Sequence, residues 1–109
     1  MEIKIRAWDD ELKQMMYSTK EQFDDSLLFR FNHFDTDTPV YMLWTGLKDE
    51  NGNDLYYFDK YVLYFGKRKE SEYFVIRSID DVYNLMFRMS ESGARFEIIG
   101  NIYDDHNND

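Results

Sequence analysis

The strongest constraint on the fold lies at mid-chain. There the polar cluster Asp49-Glu50-Asn51-Gly52-Asn53-Asp54 separates an apolar run over 40–47 from an aromatic run over 55–65. Asn51-Gly52 is the dipeptide a two-residue hairpin turn favours, because both central residues of a type I′ turn need φ > 0, which Asn tolerates and Gly accepts freely. The two runs are therefore expected as hairpin strands, the second broken near Asp59-Lys60. A chain organised around a hairpin reads as a sheet protein. Its nine Tyr and nine Phe, against one Pro and five Gly, agree, since aromatic side chains suit pleated, half-buried surfaces.

The rest of the chain extends this pattern. Ile3, Ile5 and Ala7 alternate with Glu2, Lys4 and Arg6, the period of a half-buried strand. Trp8 closes that strand, Asp9-Asp10-Glu11 turns, and 13–17 returns as its partner. Ser18-Thr19-Lys20-Glu21 has the form of a capping box ahead of Phe23 and Leu27, but alternation over 27–34 favours a strand. A loop or single turn is assigned to 18–25, and a turn to Asp35-Thr36-Asp37-Thr38-Pro39, where Pro removes a ladder donor. Residues 66–71 read as a polar connection and 72–77 as a strand forming a meander with 61–65. The helix signals begin at Ser78 as N-cap with Asp81 three residues on, and end at Gly93. Ile79, Val82, Leu85, Met86 and Met89 mark its expected inner face. Residues 95–99 return to strand, and Gly100-Asn101 turns. The expected fold is mostly β (α+β), an antiparallel meander or small barrel-like sheet with one α-helix near residues 79–92. It forms a single domain over 1–103, followed by an acidic flexible tail over 104–109.

Charge narrows the function. Thirteen Lys and Arg face 22 Asp and Glu, for a formal net charge of −9. Direct nucleic-acid binding is disfavoured, because that affinity comes from cations displacing counterions from the phosphate backbone. A strongly acidic surface suits basic partners instead, including the nucleic-acid grooves of other proteins. The acids come in small groups: Asp9, Asp10 and Glu11; Asp24 and Asp25; Asp35 and Asp37; Asp80 and Asp81. These fall in turns or at the helix start, where exposure is expected. The chain has no Cys, which removes disulfides, thiolate metal sites and a Cys nucleophile together. The N-terminus lacks the apolar stretch of a signal peptide, and no run approaches the ~18 apolar residues of a membrane span. A soluble protein without membrane contact is expected.

No chemistry is spelled out. The 49–54 cluster superficially resembles a calcium loop, but its glycine is the fourth residue rather than the sixth, and the twelfth is Lys60 rather than an acid. His33 and His106 are the only histidines, too few for a zinc site of His ligands. No phosphate-binding glycine loop, nucleophile elbow or S-x-x-K pattern is present. The expectation is a protein without cofactor, metal or catalytic residues. Lys67-Arg68-Lys69 is the only basic run. Trp8, Trp44, Tyr56 and Tyr57 form an alternative site, a pocket on which a nucleotide base could stack.

Three segments carry a family resemblance. Ile3-Lys4-Ile5-Arg6-Ala7-Trp8-Asp9 is similar to "IKFRAWD". Trp44-Thr45-Gly46-Leu47-Lys48-Asp49, with Asn51-Gly52 and Tyr56, is similar to "YTGLKDKNGKEIYEGD". Phe96-Glu97-Ile98-Ile99-Gly100-Asn101-Ile102-Tyr103 is similar to "EVIGNIYENP". In this order they resemble the YopX family of small phage and prophage proteins. The chain departs from the pattern where Tyr57-Phe58 replaces Glu-Gly before Asp59, and 57–95 is otherwise unmatched. The resemblance implies a phage or prophage origin and a mostly β fold, and it brings no catalytic residues to carry over. Together with the lack of a signal-peptide stretch, the expected location is the bacterial host cytoplasm. The functional expectation is a non-enzymatic accessory protein that binds a host or defence protein through an acidic, nucleic-acid-mimicking surface, as an anti-CRISPR would. The alternatives are a nucleotide-sequestering protein and an oligomeric assembly component. Oligomeric state is left open.

Overall fold

A computed structural model describes residues 3–9, 12–19 and 41–104. Antiparallel sheets dominate, one of them curled as a half-barrel, and the described residues hold one α-helix. The chain divides into two compact units, Met1–Trp44 and Thr45–Asp109.

In the first unit, β1 (Lys4–Asp9) and β2 (Gln14–Thr19) pair antiparallel from Lys4↔Thr19 to Asp9↔Gln14. The reversal is made by Asp9, whose Oδ1 accepts the Leu12 N–H at 3.1 Å, and by Lys13 at φ 53. On its other edge β1 pairs with the start of β3 (Tyr41–Lys48), through Ile5↔Leu43, Arg6↔Met42 and Ala7↔Tyr41. The expected in–out alternation of β1 does not hold. Arg6, Ala7, Trp8 and Asp9 are buried consecutively, so both faces of the strand are covered, and its outward-facing positions have no solvent to meet. Residues 18 and 19, expected to open a loop, complete β2. The remainder of that loop, the strand over 27–34, and the turn at 35–39 lie outside the described residues.

The second unit takes over part-way along β3, whose end leads into β4 (Asp54–Tyr56). Next come β5 (Asp59–Phe65), β6 (Arg68–Val75), the helix α1 (Ile79–Ser92) and β7 (Arg95–Asn101). A three-stranded antiparallel sheet has the order β6-β5-β7. Its central strand is covered on both faces, since Tyr61, Val62 and Leu63 are all buried. The core joins Leu55, Tyr61, Leu63, Ile76, Val82, Leu85, Ala94 and Phe96. Leu55, Leu63, Ile76 and Leu85 are wholly buried, and each such side chain contributes about 1.5–3 kcal/mol relative to exposure. Tyr61 stacks on Phe74 at 5.6 Å between ring centroids and meets Phe96 edge-on at 5.8 Å.

The helix obeys its local signals. The Asp81 carboxylate accepts the N–H groups of Arg77 at 2.8 Å and Ser78 at 3.1 Å, which holds the first turn. Gly93 at φ 64 ends the helix, with Ala94 N–H donating to the Arg88 carbonyl at 3.3 Å. Its inner face is narrower than periodicity implied. Val82 and Leu85 are buried and Met89 packs against the core, but Ile79 and Met86 are exposed.

Strand boundaries shift as well. The break expected near Asp59-Lys60 falls at Tyr57-Phe58, and Asp59 opens β5. The polar connection over 66–71 contracts to Gly66-Lys67, because Gly66 at φ 62 allows a two-residue turn that pairs Phe65 with Arg68. The charged residues after it are strand residues. At the C-terminal end β7 continues through the expected Gly100-Asn101 turn, and the chain turns at Ile102-Tyr103 with Tyr103 buried.

Candidate functional site

The motif-like stretch from Thr45 to Asp59 is built by side chains that bind backbone. Thr45 Oγ1 donates to the Leu55 carbonyl at 2.7 Å and accepts the Leu47 N–H at 3.2 Å. Between them Gly46 takes φ 93, within a strand, where a Cβ would be strained. The hairpin is not the expected type I′ turn, since Asn51 does not adopt positive φ and Gly52 alone does, at 84. Gly52 N–H closes onto the Asp49 carbonyl at 3.0 Å, and Asp49 N–H donates to the Asn53 carbonyl at 2.9 Å. This is a three-residue loop with a left-handed glycine at its end.

Asp49 selects that geometry. It is only 6% exposed. Its Oδ1 accepts the N–H groups of Asn51 at 3.0 Å and Asn53 at 2.8 Å, and its Oδ2 accepts that of Ile98 at 3.1 Å. Burial alone would raise the pKa of this carboxyl, but the backbone donors Ile98, Asn53 and Asn51, with the Asn53 amide, outweigh it and hold it below the ordinary value. Glu50 N–H adds a bond to the Phe96 carbonyl at 3.3 Å, so the turn lies along β7. Asp59, also buried, accepts the Tyr56 N–H at 2.8 Å. Between them Phe58 is forced to φ 71, with its N–H on the Ile76 carbonyl at 2.6 Å and its carbonyl accepting the Ile102 N–H at 3.1 Å. Left-handed backbone costs an aromatic residue about 1–2 kcal/mol. Thr45, Asp49 and Asp59 thus use their side chains to hold the backbone. The stretch is architectural.

At the same end of the second unit, Arg95 bridges two turns. Its Nη1 meets Glu50 Oε2 at 2.6 Å and its Nη2 donates to the Gly66 carbonyl at 2.6 Å. Tyr64, whose hydroxyl donates to Glu97 Oε2 at 3.1 Å, lies under the Arg95 guanidinium at 5.7 Å. Its phenol is pushed up by desolvation and then by Glu97, against the opposing pull of Arg95. No such balance produces a group poised to exchange a proton near neutral pH.

The residues singled out from sequence scatter. Asp10, Glu11, Asp24, Asp25, Asp35 and Asp37 lie outside the described residues. Asp9, expected to be exposed, is 1% exposed and makes a turn; a short carboxylate one residue before a reversal serves the backbone first. Asp80 is exposed on α1, while Asp81 is half-buried and caps it. Trp8 and Tyr56 are buried core residues. Trp44 is half-buried with Lys4 Nζ 4.4 Å above its ring, and Tyr57 is half-buried. Trp8 and Trp44 belong to the first unit and Tyr56 and Tyr57 to the second.

Sequence reasoning missed the outer face of α1. Ile79, Tyr83, Met86 and Phe87 all stand exposed there. The signal was present in the i, i+4 spacing of Tyr83 and Phe87, which the inner-face pattern overshadowed. Among the described residues no group of three or more His, Cys, Asp or Glu could hold a metal ion, and no helix is long and apolar enough to cross a membrane. No family model matches the chain, and neither a curated protein nor a solved structure matches it.

Proposed function

We propose that this chain is a phage or prophage accessory protein that works by binding rather than catalysis, and that it inhibits a host defence protein by offering acidic surface to a basic groove. The observation that carries the reading is charge: −9 over 109 residues, with Glu72, Asp80 and Glu91 exposed in the second unit. Negative surface steers a basic partner over a Debye length of about 8 Å at physiological salt and raises the association rate. The phage origin rests on the three segments similar to the YopX family. Phe58 is consistent with that similarity, since it stands where the family's pattern has Gly and adopts the left-handed backbone a Gly would supply. The proposed site of action is the cytoplasm of the bacterial host.

Co-expression with a DNA-cleaving CRISPR effector tests the reading. The expected result is reduced cleavage and a stable complex by size exclusion, weakening as salt rises. Undiminished cleavage with no complex formed would refute it.

A further inference from the structure

We infer that the outer face of α1 is a docking surface for a partner protein that offers an apolar stripe bordered on one side by Lys or Arg. Ile79, Tyr83, Met86 and Phe87 are 52%, 62%, 45% and 66% exposed. They follow i, i+4, i+7, i+8 spacing, and at about 100° per residue they share an arc about 100° wide. That arc is distinct from the one carrying Val82, Leu85 and Met89 into the core. A surface helix needs one apolar stripe; this one has two. An amphipathic helix whose anchors repeat at this spacing is a standard way of filling an apolar groove, and Tyr, Phe and Met are enriched at such contacts.

The border of the stripe identifies the occupant. Asp80 and Glu91 are exposed and lie about 60–80° round from Tyr83, along one side. The only cation of the helix, Arg88, has its guanidinium 5.3 Å over the Phe74 ring, turned toward the sheet. The flank therefore carries an acid near each end of the helix, and complementarity calls for a basic flank opposite. A second copy fits badly. A two-fold antiparallel pairing through this stripe brings Asp80 of one molecule beside Glu91 of the other, which is repulsive.

The inference rests on the proposed binding role and names its surface. The test uses a labelled amphipathic peptide of about 18 residues, with a Leu/Ala stripe bordered on one side by Lys, and a control bordered by Glu. Fluorescence anisotropy on the full chain should show the Lys peptide binding at least tenfold tighter than the control. The double variant Tyr83→Ser/Phe87→Ser should lose at least tenfold for the Lys peptide, or about 1.4 kcal/mol, with its circular dichroism unchanged. Asp80→Lys/Glu91→Lys should reverse the preference in favour of the Glu peptide. The inference is overturned if the Lys peptide does not bind at millimolar concentration, or if it binds parent and Ser variant equally. A preference that survives the charge swap also overturns it, as does a sedimenting dimer abolished by Tyr83→Ser/Phe87→Ser. Undiminished nuclease cleavage beside intact peptide binding sinks the inhibitory reading and leaves this surface standing. Cleavage blocked equally by parent and Ser variant sinks the surface and leaves the reading standing.

Discussion

Replacing Asp49 probes the bond between the mid-chain turn and the sheet. Asp49→Ala removes the acceptor for three backbone N–H groups. Asn51 and Asn53 are exposed, so water takes over as acceptor there at a modest cost. Ile98 is half-buried within β7, and its N–H loses a charge-assisted bond worth about 1.5–3 kcal/mol. The expected loss is about 3 kcal/mol. At roughly 4–8 °C per kcal/mol, that lowers Tm by about 12–24 °C. Asp49→Asn should cost less, about 2 kcal/mol, because its amide oxygen still serves the turn while its NH2 faces the Ile98 donor. Both tryptophans belong to the first unit, so urea unfolding of the second is better followed by far-ultraviolet circular dichroism and by exchange of the Ile98 amide. The pH dependence supplies a second readout. The folded pKa of Asp49 lies below the unfolded value of about 3.9. Its contribution is therefore complete above that pH and is lost as pH falls through the folded value. Asp49→Asn should flatten that part of the acid limb. A loss under about 0.5 kcal/mol, the range of an ordinary surface substitution, with Ile98 exchange unchanged, would show that the carboxylate does not hold the turn to β7.

Three further outcomes follow from strain, close approach and burial. Phe58→Gly should be more stable than Phe58→Ala by about 1 kcal/mol, because both lose the ring but only Gly accepts φ 71 without cost; equal or reversed stabilities in urea would sink the strain argument. A Cβ at Gly100 would occupy the place of the Asp104 carboxylate, which accepts the Asn101 N–H at 2.9 Å. Gly100→Ala should therefore cost at least about 1 kcal/mol, and a double-mutant cycle should show the part owed to this contact gone in an Asp104→Ala background, leaving the backbone strain of Ala at φ 157. Tyr61 has its phenol pushed up, first by burial and then by Asp81 against Arg88. Its folded pKa is raised, so its contribution is complete below about pH 10 and is lost as pH rises through the folded value. Tyr61→Phe should reduce the alkaline loss of stability in melts above that pH, and an unchanged profile would refute the assignment.

What could be read in advance was whatever depends on near neighbours. The helix was legible because Ser78, Asp81 and Gly93 act within one turn of its ends. The central hairpin was legible as a hairpin, but its turn type was not. Asn51-Gly52 permits a two-residue turn, while the bonds from Asp49 to Asn53 and Ile98 select a three-residue one, and Ile98 is remote in sequence. Burial of Arg6 and Asp9 is a property of packing around β1, and no alternation within the strand reports it. Ile79 and Met86 match helical periodicity as well as Val82 and Leu85 do; only tertiary structure separates inner from outer. The acidic residues were legible as charge but not as placement. Asp9, Asp49, Asp59 and Asp81 serve the backbone, where short carboxylates near reversals find donors first.

The turn lying along β7 also bears on how the protein behaves in concentrated solution. Strands at the margins of a sheet carry unsatisfied backbone groups that recruit other chains. In the β6-β5-β7 sheet one margin is occupied by the protein's own turn, through Glu50 N–H on Phe96 and Asp49 on Ile98. The other is β6, where Arg68, Lys69, Glu70 and Glu72 put charge along the rim. The molecule thus guards one margin by occupancy and the other by charge. By holding the turn along β7, Asp49 leaves that margin less open to a strand from another chain.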